Sequence, residues 1–430
     1  MLQTLKNAWK IPELRKKMLY TLLMLVIFRL GSYIPVPGLT ADAVAELMGG
    51  FSEGMQGLLN NFSGGALERG SIFAMSISPY INASIIMQLL TVAIPALERL
   101  AKEGEEGRKK ISSYTRYVTV ILGFLQATGL YFGLRNVLVG GPGFMNYLML
   151  TLSFTAGTAF LMWLGEQITE KGIGNGISLL IFAGIVARGP AAIQSLRASL
   201  VTAEGMSIQS VITLIAILAI AVLAIAFVVL MNDAERRIPV QYAKRVVGRK
   251  MYGGQSTHIP IKVSMAGVMP IIFAVSIMSF PQTINMFING DSMPTGFWGT
   301  VLSLFQQTHP FYIVAYFLLI LFFTYFYTAI QFNPIEISNN MKKNGGFIPG
   351  IRPGKPTSDF IARILSKITL FGALFLAVIA IFPILLACVP NLSGISIGGT
   401  SLLIIVGVAL ETVKQMVSQM LMRHYKGFLE

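Results

Sequence analysis

Residues 72–94 read I-F-A-M-S-I-S-P-Y-I-N-A-S-I-I-M-Q-L-L-T-V-A-I, twenty-three consecutive positions without an Asp, Glu, Lys or Arg. At ~1.5 Å per residue, a helix of that length reaches across the ~30 Å hydrocarbon core of a bilayer. Further apolar stretches lie at about 18–34, 115–134, 150–168, 177–195, 210–231, 263–285, 311–332, 368–389 and 401–417, most of them closed by Gly, Pro or a Lys/Arg cluster. The whole chain of 430 residues is 54% hydrophobic and 12% charged, with a mean hydropathy of +0.68. That is about half the charge of a soluble domain. The composition excludes a soluble enzyme and a disordered basic protein. The single cysteine, Cys388, excludes a disulfide scaffold. The reading is an all-α polytopic membrane protein with ten transmembrane helices.

Charge placement orients these spans. Lys6, Lys10, Arg15, Lys16 and Lys17 precede the first span in the manner of a signal peptide, but P-V-P-G at 35–38 follows in place of an A-x-A cleavage site. An uncleaved first span is expected. With ten spans both termini share a side, and that side carries 28 of the 33 basic residues. The opposite side has Arg69, Arg135, Arg188 and Arg197, while Arg29 stands inside the first span. By the positive-inside rule both termini are cytoplasmic. The formal charge of +14 is therefore a matter of topology rather than of DNA binding. Loops 232–262 and 333–367 hold 13 of the basic residues. They are either orientation signals alone or docking surfaces for a large acidic partner, and the second is preferred because orientation needs only a few charges.

Three spans are irregular. The second carries Pro79, the seventh Pro270, and the fifth is interrupted at Arg188-Gly189-Pro190. Broken helices of this kind persist where they pack on protein or line a water-filled cavity. Segment 53–71, E-G-M-Q-G-L-L-N-N-F-S-G-G-A-L-E-R-G-S, is too short and polar to span. It is either an exterior loop with a surface helix or a re-entrant half-helix hinged at Gly64-Gly65 and Gly70. A central Arg costs roughly 2.5–3.5 kcal/mol on insertion scales. Arg29 stands six residues before Pro35, so snorkelling to the outer interface is the preferred reading, with a partnered pore-side role as the alternative.

Enzymatic signatures are missing. The three histidines, His258, His309 and His424, lie in loops or the tail, and there is no H-E-x-x-H, G-x-S-x-G or G-x-x-x-x-G-K-[ST]. The run G-I-G-N-G at 172–176 mimics part of a dinucleotide fingerprint, but it joins two spans with no strand before it. No span has Asp or Glu near its middle; Glu166 and Glu411 lie near span ends. This weakens a secondary transporter of inverted-repeat type, which usually places such groups at the midplane. A membrane-embedded scaffold is a third class.

Two runs carry a family resemblance. S-I-F-A-M-S-I-S-P-Y-I-N-A-S-I-I-M-Q-L-L at 71–90 and W-L-G-E-Q-I-T-E-K-G-I-G-N-G-I-S-L-L-I at 163–181 resemble the two signatures of the SecY family of protein-translocon channel subunits. Supporting matches are F-S-G-G-A-L (62–67), A-K-R (243–245), Q-S-T-H-I-P (255–260), F-N-P (332–334), F-I-P-G-I-R-P-G (347–354) and G-G-T-S-L-L-I (398–404), in family order.

The resemblance implies two inverted five-helix halves, 1–205 and 206–430, around an hourglass pore that conducts unfolded polypeptide, with no cofactor. It makes 53–71 a plug, carried by Asn61, Phe62, Ser63, Gly64 and Gly65, and places a pore ring at Ile77, Ile81, Ile177, Ile181, Ile272 and Ile404. A ring of branched aliphatics dewets and resists ions, yet can part around a passing chain. The family also opens sideways, between spans 2 and 3 and spans 7 and 8, so that signal segments leave for lipid. Gln88, Gln126 and Ser264 would lie near this gate, although ordinary interhelical bonding accounts for the glutamines equally well. Ser264 stands where the family often has Asn and Ser76 where it usually has Gly, which leaves gate energetics and the local backbone bend open. Arg236, Arg237, Lys244, Arg245 and Arg352 would dock the motor ATPase SecA and the ribosome. SecE and SecG are implied as partner subunits, preproteins bearing signal peptides as substrates, and the bacterial plasma membrane as the location.

Overall fold

The computed structural model describes residues 2–40, 44, 60, 63–135, 138–139, 141, 143–191, 193–194, 208–242, 245–247, 250–252, 256–289, 296–306, 309–387 and 399–426. In chain order the elements are α1 (Leu2–Lys10), α2 (Pro12–Gly31), α3 (Ser78–Ala93), α4 (Pro95–Lys102), α5 (Glu105–Leu134), α6 (Phe144–Lys171), α7 (Gly176–Ala187) and α8 (Ile208–Asp233). Strands β1 (Glu235–Tyr242), β2 (Arg245–Val247), β3 (Lys250–Tyr252) and β4 (Ser256–Lys262) follow. The remainder is α9 (Met269–Met278), α10 (Phe280–Asn289), α11 (Phe297–Leu304), α12 (Pro310–Gln331), α13 (Pro334–Lys343), β5 (Gly346–Phe347), α14 (Lys355–Ala387) and α15 (Gly399–Lys426).

Each of the ten predicted spans overlaps a helix. Among the described residues, five helices are individually long and apolar enough to cross a membrane, and the α3–α4 pair, bent by 100°, passes the same test when taken together. The apolar windows of these five helices are only 28% to 50% buried, and side chains such as Leu223, Leu318 and Phe322 are exposed. So much outward apolar surface suits lipid rather than water.

Prolines decide where the second span is helical. Pro79 occupies the first turn of α3, where its missing N–H costs nothing. Residues 71–77 are instead a chain of tight turns, with Ala74 N donating to Ser71 O (3.0 Å), Ser76 N to Phe73 O (2.9 Å) and Ser78 N to Met75 O (3.3 Å). The predicted span 72–94 is thus helical only from Ser78. At its other end Pro95 holds Ile94 in extended backbone (φ −107°, ψ 113°), as the residue before proline prefers, and α4 leaves at the 100° bend.

The chain divides into two compact units, neither of them continuous in sequence. The first is Met1–Val211 with Ser276–Tyr312 and Ile404–Glu430; the second is Ile212–Val275 with Ile313–Leu403. In the first, one core joins Val36, Leu67, Ala74, Met75, Leu130, Leu134, Leu150 and Phe154. The G-I-G-N-G run is its tightest junction. The Asn175 side chain caps α7 by accepting from Ile177 N (3.1 Å) and Ser178 N (3.3 Å). Ile173 N donates to Thr21 Oγ1 on α2 (3.0 Å). A Cβ on Gly174 would lie 3.2 Å from Thr412 Oγ1 of α15, and one on Gly176 only 1.9 Å from Gly165 O of α6. These glycines bring four helices together rather than cradling a phosphate.

The second unit adds a small β-module to the helical fold and corrects the reading of 232–262 as a loop. Strands β4, β1 and β5 form an antiparallel sheet in that order, with Pro239 opposite His258 and Gln241 opposite Phe347. Strands β2 and β3 pair separately. In E-R-R-I-P-V-Q-Y the alternation from Ile238 onward buries Ile238 and Val240, the period-2 pattern of a half-buried strand. They join Ile261, Met341, Ile348, Ile361 and Leu365. The predicted loop 333–367 likewise holds α13, capped by Asn333, β5 and the first turns of α14.

Replacing Gly176 by Ala is expected to lower the unfolding temperature of the detergent-solubilised protein by several degrees, because overpacking against backbone costs about 1–3 kcal/mol. Gly189→Ala, whose added Cβ meets nothing within 4 Å, is expected to leave it unchanged in the same thermal scan.

Candidate functional site

The described part of the predicted plug region is residue 60 and residues 63–71, all of them in the first unit. Asn61 and Phe62 lie outside the described residues, as do 53–59. Ser63, Gly64, Gly65, Ala66 and Leu67 are buried. Asn60 O accepts from Gly65 N (2.9 Å) and from Ser63 Oγ (3.2 Å). Gly64, Gly65 and Gly70 have φ of +68°, +82° and +55°. The three positions read as hinges are therefore those where an L side chain would be strained.

Charged groups gather on this turn. Arg29 Nη1 donates to Gly64 O (3.0 Å) and its Nη2 to Tyr33 Oη (2.9 Å). Arg69 Nη1 donates to the same Gly64 O (3.4 Å). Both guanidiniums lie over the Tyr33 ring, 4.8 Å and 4.4 Å from its centroid. Glu68 pairs with Arg188 Nη2 (3.0 Å) and accepts from Asn60 Nδ2. The expectation that Arg29 snorkels outward is corrected, since its fork is spent on a carbonyl of the buried turn and on Tyr33. A hydrogen bond to a charged group contributes ~1.5–3 kcal/mol, comparable to the roughly 2.5–3.5 kcal/mol that inserting the charge costs.

Beyond the turn, residues 72–77 pass between α2 and α6. Phe73 stacks between Phe28 (centroids 6.2 Å apart) and Phe160 (5.9 Å). A Cβ on Gly31 would lie 2.1 Å from the Phe73 ring, and one on Gly157 2.2 Å from Ile72 O. Ser76 keeps the bend that a glycine would make easily: with φ of +52° it is the one non-glycine at positive φ among the described residues.

Of the predicted ring, Ile77, Ile81, Ile181 and Ile404 are buried, Ile177 is half-buried, and all five belong to the first unit. Ile177 Cδ1 lies 2.4 Å from where a Cβ on Gly165 would stand, so it packs close against α6. Ile272 is half-buried in the second unit. Gln88 and Gln126 are half-buried on α3 and α5, which pack along each other, and α10 also packs on α5. Ser264 lies, half-buried, in the turn before α9.

Three of the predicted docking residues, Arg236, Arg237 and Arg352, lie on the segments that carry one apolar cluster in the second unit. Arg236 and Arg237 are exposed on β1, with Arg237 Nε on Glu235 Oε1 (2.7 Å). Arg245 pairs in register with Tyr252, while Lys244 lies outside the described residues. Arg352 is exposed beside Ile351, which packs with Ile238 and Ile348. Period-2 alternation over 235–242 could have revealed this module. On the bend-side helix α4, Lys102 Nζ bonds Glu98 Oε1 (2.6 Å) and holds that carboxyl below its ordinary range. Nothing in the sequence pattern pointed to the Arg29–Gly64 or Glu68–Arg188 contacts, because each joins elements far apart along the chain.

Apolar helices, a buried glycine turn gripped by arginines and a basic β-module define a multi-pass membrane protein. The family model described as SecY matches residues 71–413, and the chain belongs to the SecY family. A protein translocase subunit SecY from Halalkalibacterium halodurans is 49% identical over 438 residues, covering 100% of both chains. A solved structure reporting that the plug domain of SecY stabilises the closed state of the translocation channel and maintains a membrane seal aligns with TM-score 0.62 at 18% identity, over 94% of this chain and 92% of that one. Sec61 in a canine ribosome–channel complex from the endoplasmic reticulum aligns with TM-score 0.58 at 17% identity, over 94% and 92%. The fold is that of these channels.

Because a left-handed backbone costs a non-glycine residue about 1–2 kcal/mol, Ser76→Gly is expected to raise the unfolding temperature by a few degrees. A thermal scan in detergent checks this; an unchanged or lower value means that the side chain's contacts outweigh the strain.

Proposed function

We propose that this chain is the channel subunit through which unfolded secretory polypeptides cross the bacterial plasma membrane, and from which signal and transmembrane segments pass sideways into lipid. The observation that carries the reading is the buried turn at 63–67, seated beside the first span by Arg29 and followed by the aliphatic positions Ile77 and Ile81. An obstruction next to a dewetting ring is what a polypeptide channel needs to stay sealed to ions when empty. In this reading Ile77, Ile81, Ile177, Ile181, Ile272 and Ile404 form the ring, residues 53–71 the plug, and 1–205 and 206–430 the two halves with their ten spans. The packing of α5 with α3 and with α10 supports a lateral gate closed there, near Gln88, Gln126 and Ser264. A signal segment is driven out through it by roughly 25 cal/mol per Å² of apolar surface.

Both termini face the cytoplasm in this reading, which the 28 of 33 basic residues on that side support. The basic β-module with Arg236, Arg237, Lys244, Arg245 and Arg352 docks SecA and the ribosome; one of the aligned structures is itself a ribosome–channel complex. SecE and SecG complete the channel. The chain performs no chemistry, and its partners supply the energy.

The pore assignment is tested by crosslinking. With Cys388→Ser as background, Ile81→Cys is reconstituted in vesicles, and a secretory chain carrying one cysteine is stalled during transport driven by SecA and ATP. A disulfide between chain and position 81 is expected. Protease-protected product without that disulfide would place the path elsewhere.

A further inference from the structure

We propose that Arg29 is the residue that positions the plug: from inside the first span it holds the Gly64 turn in its seat, with the Glu68–Arg188 pair as a second clasp. This rests on the plug reading above. The partners divide cleanly between the seat and the moving part. Arg29 and Tyr33 belong to α2 and the turn after it, and Gly184 and Arg188 to α7 and its end. Gly64, Glu68 and Arg69 belong to the plug segment.

The contacts are specific. One carbonyl, Gly64 O, accepts from Arg29 at 3.0 Å and from Arg69 at 3.4 Å. Two like charges meet on one oxygen only where something offsets their repulsion. Here the Tyr33 ring does so, with both guanidiniums within 5 Å of its centroid. The carbonyl is aimed by a left-handed backbone, φ +68° at Gly64. The seat is close-fitting as well, since a Cβ on Gly64 would lie 3.0 Å from Gly184 O and 3.2 Å from Arg29 Nη1.

This arrangement is complete only with the plug in place. When the plug leaves, Gly64 O, Arg69 and Glu68 go with it, and Arg29 and Arg188 lose these partners. The latch is therefore made only in the plugged state and stabilises that state. Lysine is no substitute for Arg29, because one ammonium cannot present the planar fork that serves Gly64 O and Tyr33 Oη together.

The test is resting ion conductance. The full chain, with its co-purifying subunits, is reconstituted in planar bilayers without a translocating polypeptide. Four channels are compared with the parent: Arg29→Gln, Glu68→Gln, a deletion of residues 53–68, and that deletion combined with Arg29→Gln. The expected results are a rise in open probability of about tenfold or more for Arg29→Gln, a several-fold rise for Glu68→Gln and a large leak on deletion. Adding Arg29→Gln to the deletion is expected to change nothing further, since coupled groups are not additive. A leaking deletion beside parent-like Arg29→Gln overturns the latch while leaving the plug. A deletion as tight as the parent overturns the plug reading itself. If Arg29→Gln does not accumulate, Arg29→Lys is read in its place: a leak is expected, and parent-like tightness overturns the proposal.

Discussion

Close approach of backbone to backbone at glycine governs this structure. In lipid the hydrophobic effect does not drive helices together, so association rests on van der Waals packing and on small residues that let main chains touch. Gly157 admits the carbonyl of Ile72, Gly31 admits the ring of Phe73, and Gly176 lies against the carbonyl of Gly165. These contacts fix where the non-helical stretch 71–77 runs between α2 and α6, and where α7 begins. Ile77, Ile81, Ile177 and Ile181, four of the six side chains assigned to the ring, follow directly from those two segments, so their placement is inherited from hydrogen-sized gaps elsewhere.

Much of the fold could be read from residues alone, and for identifiable reasons. Apolar runs near bilayer length mark helices whatever surrounds them, which is why each of the ten predicted spans overlaps one. Prolines act locally, so Pro79, Pro95 and Asn175-Gly176 mark helix starts whose geometry the neighbouring backbone confirms. Glycine tolerates positive φ freely, and Gly64, Gly65 and Gly70 each take it.

What escaped the sequence is non-local or was judged with the wrong period. Arg29 is a costly charge in an apolar helix, but its acceptor lies thirty-five positions away on a backbone carbonyl, which has no signature in a string of side chains. The sheet around Ile238 and Val240 was hidden by its many charges: loop 232–262 reads as polar until alternate residues are counted. Ser76 shows the opposite case. The family's glycine preference named the bend, and the structure keeps that bend with a residue less suited to it.

The sheet has one more consequence. Strand β4 lies at its open edge, and an edge strand offers unpaired amides to any extended peptide that drifts past. A protein read as handling unfolded chains would meet such peptides constantly, and a sticky border would trap cargo before it reached the mouth. Pro260 sits in the middle of β4 and has no amide hydrogen to give, and Pro239 interrupts β1 beside it. The module can therefore remain close to passing substrate without becoming a template for it.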